Sequence, residues 1–281
     1  MQIHTILAPV DFSDRARLGV RESAAIASRF NAKLLLLHAV VSGSPSEYQG
    51  GEAPGLEEAY DAEALAHLVE REAPAADSEL IVLPGELSRS VRRICEERAV
   101  DLVVMPTHGD SPYRQYLLGS NTAKVLHDVA CPVLTGAHLE HPAEACYPYK
   151  RIACLPDLKD SGQNVVSYGR GFAATFGAEL LLAYIGPDFH LMGTGAHQEF
   201  VQTLEASARL RLERLAEQEG IEAQIRIESG EFEERLPRLL RERDVDLLVI
   251  GRGAGGSSEE GGLSASAYAA IRCSPCPVLS V

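Results

Sequence analysis

Two places in the chain carry residues whose types and positions suit ligand binding, the first of them the binding of an oxyanion. One reads Met105-Pro106-Thr107-His108-Gly109 and, nine residues further on, Gly119-Ser120; the other is Asp11. Gly109 and Gly119 lack a β-carbon, so backbone N–H groups there can approach a phosphate oxygen closely. A helix opening at Ser120 adds unpaired N–H groups, a positive dipole end and a hydroxyl. The pattern is not a P-loop, because no Lys follows the second glycine. Nor is it the dinucleotide fingerprint, whose glycines are tightly spaced behind a first strand. Other readings of these residues stay open. Both glycines also suit a turn and a helix start, Asp11 suits a turn or cap, and His108 suits a turn that bonds its own backbone. Arg114, within the nine-residue stretch, suits either a phosphate or solvent.

These residues need strand ends and helix starts to hold them. Residues 3–10 are β-branched and apolar, and Ser13 offers an N-cap to a helix with apolar positions near helical spacing. The run at 34–41 is almost continuously apolar, which predicts a strand covered on both faces and so a parallel sheet between helices. A Gly, Ser and Pro loop at 42–55 leads to a helix at 56–72. A strand at 79–83, a helix at 87–98, a strand at 101–105, a helix from Gly119-Ser120 to 129 and a strand opening at Pro132 follow. Asp11 then lies just beyond the first strand and residues 105–120 just beyond the fourth, the strand ends where open α/β sheets bind ligands.

The chain repeats this plan. Asp101-Leu102-Val103-Val104 is echoed by Asp246-Leu247-Leu248-Val249, and Cys131-Pro132-Val133-Leu134 by Cys276-Pro277-Val278-Leu279, both displaced by 145 positions. Gly85-Glu86 and Gly230-Glu231 share that displacement, while Asp11 and Asp157 are 146 apart. The expectation is a tandem duplication with domains at 1–141 and 150–281, joined by a Pro-containing linker near 141–149. Strands are expected in the second copy at 151–155, 179–184, 222–227, 246–250 and 277–281. The fold class is α/β: two tandem, doubly wound, open parallel sheets of five strands. In the second copy the oxyanion segment reads Gly251-Arg252-Gly253-Ala254, nine residues, then Ser264-Ala265. Both later glycines are missing, and Glu259 and Glu260 would repel a phosphate. The second site is expected to be degenerate, although Asp157 survives.

Composition excludes other classes. The 281 residues include 40 acids against 26 Lys and Arg, a net charge of -14, which repels nucleic acid and anionic membrane surfaces. No apolar run approaches the roughly 20 residues of a membrane span, and the first residues do not read as a signal peptide, so the cytoplasm is the expected compartment. Six scattered cysteines do not form a disulfide framework. Cys273-Ser274-Pro275-Cys276 has redox or zinc spacing, but no second ligand pair completes it, so packing is the expected role. Glu57, Glu58, Glu63, Glu70 and Glu72 read as the solvated face of a helix.

Taken together, these segments resemble the universal stress protein family in a tandem form, over nearly the whole chain. The likeness rests on Ile6-Leu7-Ala8-Pro9-Val10-Asp11-Phe12-Ser13, on Leu36-Leu37-His38-Ala39, on the full-spacing run from Thr107 to Ser120, and on both Cys-Pro-Val-Leu strands. The resemblance implies ATP, with Mg2+, as ligand of the first repeat. It implies Asp11 on the ribose or adenine side, Pro9, Val10 and Ala39 along the base, and Gly109, Gly119, Ser120, Asn121 and Thr122 around the phosphates. Met105, Pro106, His108 and Arg114 complete the implied site. One departure is Pro106, which stands where the family has its first glycine and offers no N–H.

The expected function is a stress-response regulator that binds ATP in repeat 1. Hydrolysis is expected to be slow or absent, because no base, P-loop Lys and acidic metal ligand stand together. No residue is assigned a catalytic or metal-ligating role. A nucleotide-free scaffold or small-ligand protein of the same fold is the alternative. An adenylating enzyme fits less well, since Asp11-Phe12-Ser13-Asp14 replaces the Ser- and Gly-rich loop or paired histidines it would carry. The resemblance also implies protein partners and an intramolecular pseudo-dimer of the two repeats through the strands near Pro132 and Pro277, with a homodimer of chains open.

Overall fold

The computed structural model describes residues 1–40, 56–107, 118–136, 149–158, 162–187, 195–253 and 263–281. Two compact units divide the chain, Gln2–Pro142 and Ala143–Val281.

In the first unit the order is β1 (Thr5–Val10), α1 (Asp14–Phe30), β2 (Lys33–Val40), α2 (Leu56–Glu72), β3 (Ser78–Pro84), α3 (Leu87–Glu97), β4 (Leu102–Pro106), α4 (Ser120–Asp128) and β5 (Val133–Gly136). The strands lie in the order β3-β2-β1-β4-β5, and every pairing is parallel. The second unit repeats this with β6 (Arg151–Leu155), α5 (Gly162–Phe176), β7 (Glu179–Gly186), α6 (Gly195–Glu219), β8 (Gln224–Ser229), α7 (Phe232–Glu242), β9 (Leu247–Ile250), α8 (Ala265–Cys273) and β10 (Val278–Ser280). Its order is β8-β7-β6-β9-β10, again parallel throughout.

The chain runs outward from β1 to β3, then crosses back to β4 and β5. Right-handed crossovers therefore put α1 and α2 on one face and α3 and α4 on the other, and the helices pack in those pairs. Leu34, Leu35, Leu36 and Leu37 are fully buried because helices cover both faces of β2.

The Asp that opens each Asp-Leu echo has a structural task. Asp101 Oδ2 accepts the backbone N–H groups of His4 (2.7 Å) and Thr5 (3.0 Å). Asp246 Oδ2 accepts those of Lys150 (2.7 Å) and Arg151 (2.9 Å). Each carboxylate ties the start of its central strand to the strand beside it.

One expectation needs correction. Glu63 and Glu70 are exposed on α2, but Glu72 is buried, with its side chain 2% exposed and ion-paired to Arg21 of α1 and to Arg71. The last turn of α2 dips against α1, so the acidic face does not run its full length. Position 72 follows Leu65 and Leu68, both buried, at helical spacing.

Candidate functional site

Parallel pairing brings the carboxyl ends of four strands to one edge. Val10 is level with His38 across β1 and β2. The β1 and β4 pairing, Ile6 with Leu102 and Leu7 with Val103, places Val10 level with Pro106 when continued along the strands. β4 is in turn level with β5 through Met105 with Thr135 and Pro106 with Gly136. Strand order reverses between β1 and β4, so this edge is the topological switch point.

The start of α4 is stitched to the end of β4. Gly119 donates its N–H to the Thr107 carbonyl at 2.9 Å. Thr122, 3% exposed, donates its hydroxyl to the Pro106 carbonyl at 3.1 Å. Thr107, also buried, donates its hydroxyl to the Gly136 carbonyl at 3.3 Å. Gly119 is the N-cap of α4 and, having no side chain, caps nothing. The first-turn N–H groups of Ser120, Asn121 and Thr122 have no intrahelical acceptor, and Ser120 and Asn121 are exposed. A helix start of this kind favours an anion.

Beyond β1, Asp11 is exposed, and its Oδ1 accepts the N–H (3.1 Å) and the hydroxyl (2.6 Å) of Ser13. Ser13 in turn accepts the N–H of Ala16 at 3.1 Å and caps α1. Phe12 holds a left-handed backbone, φ 60°, and its ring lies 4.6 Å from that of His38. His38 Nδ1 donates to the Val10 carbonyl at 2.8 Å, and its Nε2 lies 3.5 Å from Asp61 on α2. Phe12, His38 and Asp61 cluster at the β1 and β2 side of this edge, and sequence reasoning gave them no site role. His38 as the polar residue ending the leucine run of β2 was the available signal.

Of the sequence-derived site residues, Pro9, Val10, Asp11, Ala39, Met105, Pro106, Gly119, Ser120, Asn121 and Thr122 all lie along this edge. Pro9, Val10, Met105 and Thr122 are buried, so they present backbone rather than side chain. The Pro106 carbonyl is engaged by Thr122 and its nitrogen carries no hydrogen. His108, Gly109 and Arg114 lie outside the described residues.

The second unit builds the corresponding corner differently. Ser264 donates its N–H to the Arg252 carbonyl at 2.8 Å, as Gly119 does to Thr107. Ser264 Oγ then accepts the N–H of Ala267 at 3.2 Å and caps α8. A β-carbon on Gly253, which has φ 78°, would meet Ser264 Cβ at 2.8 Å, so the serine side chain fills the space between strand end and helix start. Among the described residues no group of three His, Cys, Asp or Glu could hold a metal ion.

Comparison with known proteins completes the description. The sequence model of the Universal stress protein family matches residues 2–135 and again 148–281. A universal stress protein of Thermus aquaticus is 32% identical over 135 residues, 46% of this chain and 96% of that protein. The universal stress protein Slr1230 of Synechocystis is 40% identical over 57 residues, which is 20% of either chain. The crystal structure of a universal stress protein from Archaeoglobus fulgidus superposes with a TM-score of 0.73 at 20% identity, covering 100% of this chain and 98% of that one, a likeness of fold.

Proposed function

Starting from the fact that the chain belongs to the universal stress protein family, which its two halves match in turn, we propose that the first repeat binds ATP. The protein would act as a nucleotide-dependent regulator in a stress response. The observation that carries this reading is the uncapped start of α4 at Gly119, set where β1 and β4 part, against the self-capped start of α8 at Ser264.

In this reading the N–H groups of Ser120, Asn121 and Thr122, together with the sequence-derived Gly109, receive the phosphates. Asp11 meets the ribose or adenine side from its turn beyond β1. Ala39 and the buried backbone of Pro9 and Val10 flank the base. Bound Mg2+ would neutralise phosphate charge; no acidic cluster among the described residues offers it a protein cage. With donors present and no paired base and Lys among the described residues, occupancy rather than turnover carries the signal.

A nucleotide-free scaffold is the second reading, and Pro106 favours it. The strand end contributes no N–H, and Thr122 already takes its carbonyl. Calorimetric titration of the full chain with ATP and Mg2+, with phosphate release followed in parallel, separates the two. Saturation near one nucleotide per chain with slow release supports binding, and a rise in the thermal midpoint follows by linkage. No heat up to millimolar ATP supports the scaffold.

A further inference from the structure

We propose that Cys95 and Cys131 form an oxidative modification site, a thiol pair that a peroxide closes into a disulfide within the first unit. Cys95 sits in α3 and Cys131 between α4 and β5, 36 residues apart in sequence, with their Sγ atoms 3.7 Å apart. A disulfide requires about 2 Å between the sulfurs, so the two side chains must rotate towards each other to close it. Both residues are half-buried, so a small oxidant can reach them.

The chemistry balances with hydrogen peroxide as the two-electron oxidant. One thiolate attacks a peroxide oxygen, the O–O bond breaks, and the sulfur becomes a sulfenic acid with loss of one water. The second thiol then attacks that sulfur, the S–O bond breaks, and its hydroxyl leaves with a proton as a second water. Two thiols and one peroxide give one disulfide and two waters.

The other described cysteines are placed against such chemistry. Cys154 is fully buried, and burial pushes its thiol up to about 12. Cys273 is held at about 11, first by burial and then by nearby Glu233. Cys276, 3% exposed, lies against the Ser274 hydroxyl at 3.5 Å. The second unit keeps Cys276 where the first has Cys131, but at the same displacement Cys95 is replaced by Leu240, buried in α7. The pair belongs to one repeat. Its disulfide would tie α3 to the segment following α4 and restrict the unfolded chain.

The test treats reduced full-length protein with hydrogen peroxide, blocks remaining thiols and maps peptides without reductant. Digestion uses trypsin followed by a Glu-specific protease, which separates Cys131 from Cys146. The expected result is loss of two of the six thiols, a Cys95 to Cys131 linked peptide lighter by two hydrogens, and a raised thermal midpoint that reductant reverses. Cys95→Ser should retain the reduced protein's midpoint and show no peroxide-induced rise. Retention of all six thiols, a linkage to another cysteine, or a linkage between chains would overturn the proposal.

Discussion

The Ser264 hydroxyl accepts the backbone N–H of Ala267 at 3.2 Å, so the first turn of α8 is closed by its own chain. At the same displacement in the first repeat Gly119 precedes Thr122, and no side chain closes the turn. One residue type thus separates a helix start with no side-chain cap from one that caps itself.

Replacing Ser264 by Ala should cost about 1 kcal/mol, the usual worth of an N-cap. Urea denaturation of the full chain measures it, and ATP stoichiometry should not change. A loss of nucleotide binding in this variant would mean that the second repeat takes part in the site.

Thr122→Val removes the hydroxyl that bonds the Pro106 carbonyl at a nearly buried position. A destabilisation of about 1–2 kcal/mol is expected, because the carbonyl loses its partner. An unchanged denaturation midpoint would show that this stitch contributes nothing.

Asp101→Ala removes the acceptor for two backbone N–H groups at the start of β1. It should destabilise the first unit by about 1–3 kcal/mol, a cost that Asn, which keeps one oxygen acceptor, should partly recover. Equal losses in the Ala and Asn variants would remove the carboxylate from this role.

Glu79 accepts hydrogen bonds from Arg98 (2.7 Å) and Lys33 (2.5 Å). These hold its carboxyl at about 2, below the ordinary value of 4.5, with the Arg98 bond the larger cause. A depressed value means that the stabilisation is fully present above about 4.5 and is lost as pH falls towards 2. The stability gap between wild type and Glu79→Gln should therefore narrow across that window. A gap constant from pH 7 to 2 would contradict the pairing.

Much of this architecture was legible because it follows from periodicity and repetition. The leucine run of β2 required helices on both faces, the Asp-Leu and Cys-Pro-Val-Leu echoes exposed the duplication, and Ser13 marked the start of α1. Strand ends were less legible, since Pro84 and Pro106 extend β3 and β4 by geometry rather than pattern. The cluster of Phe12, His38 and Asp61 was hidden because it joins three elements far apart in sequence. Glu72 was misread because its burial depends on Arg21 of another helix. Ser264 counted in sequence only as a missing glycine; its capping bond to Ala267 is what the structure adds.

The most direct measurement compares ATP binding by full-length Gly119→Asp and Ser264→Asp with wild type. Asp is a good N-cap, so both variants should fold with unreduced thermal midpoints. Each places a carboxylate at one helix start. The expected result is binding weakened by at least about tenfold in Gly119→Asp, worth roughly 1.4 kcal/mol or more, and unchanged in Ser264→Asp. Equal binding by wild type and Gly119→Asp, or loss confined to Ser264→Asp, would contradict a nucleotide site at the start of α4.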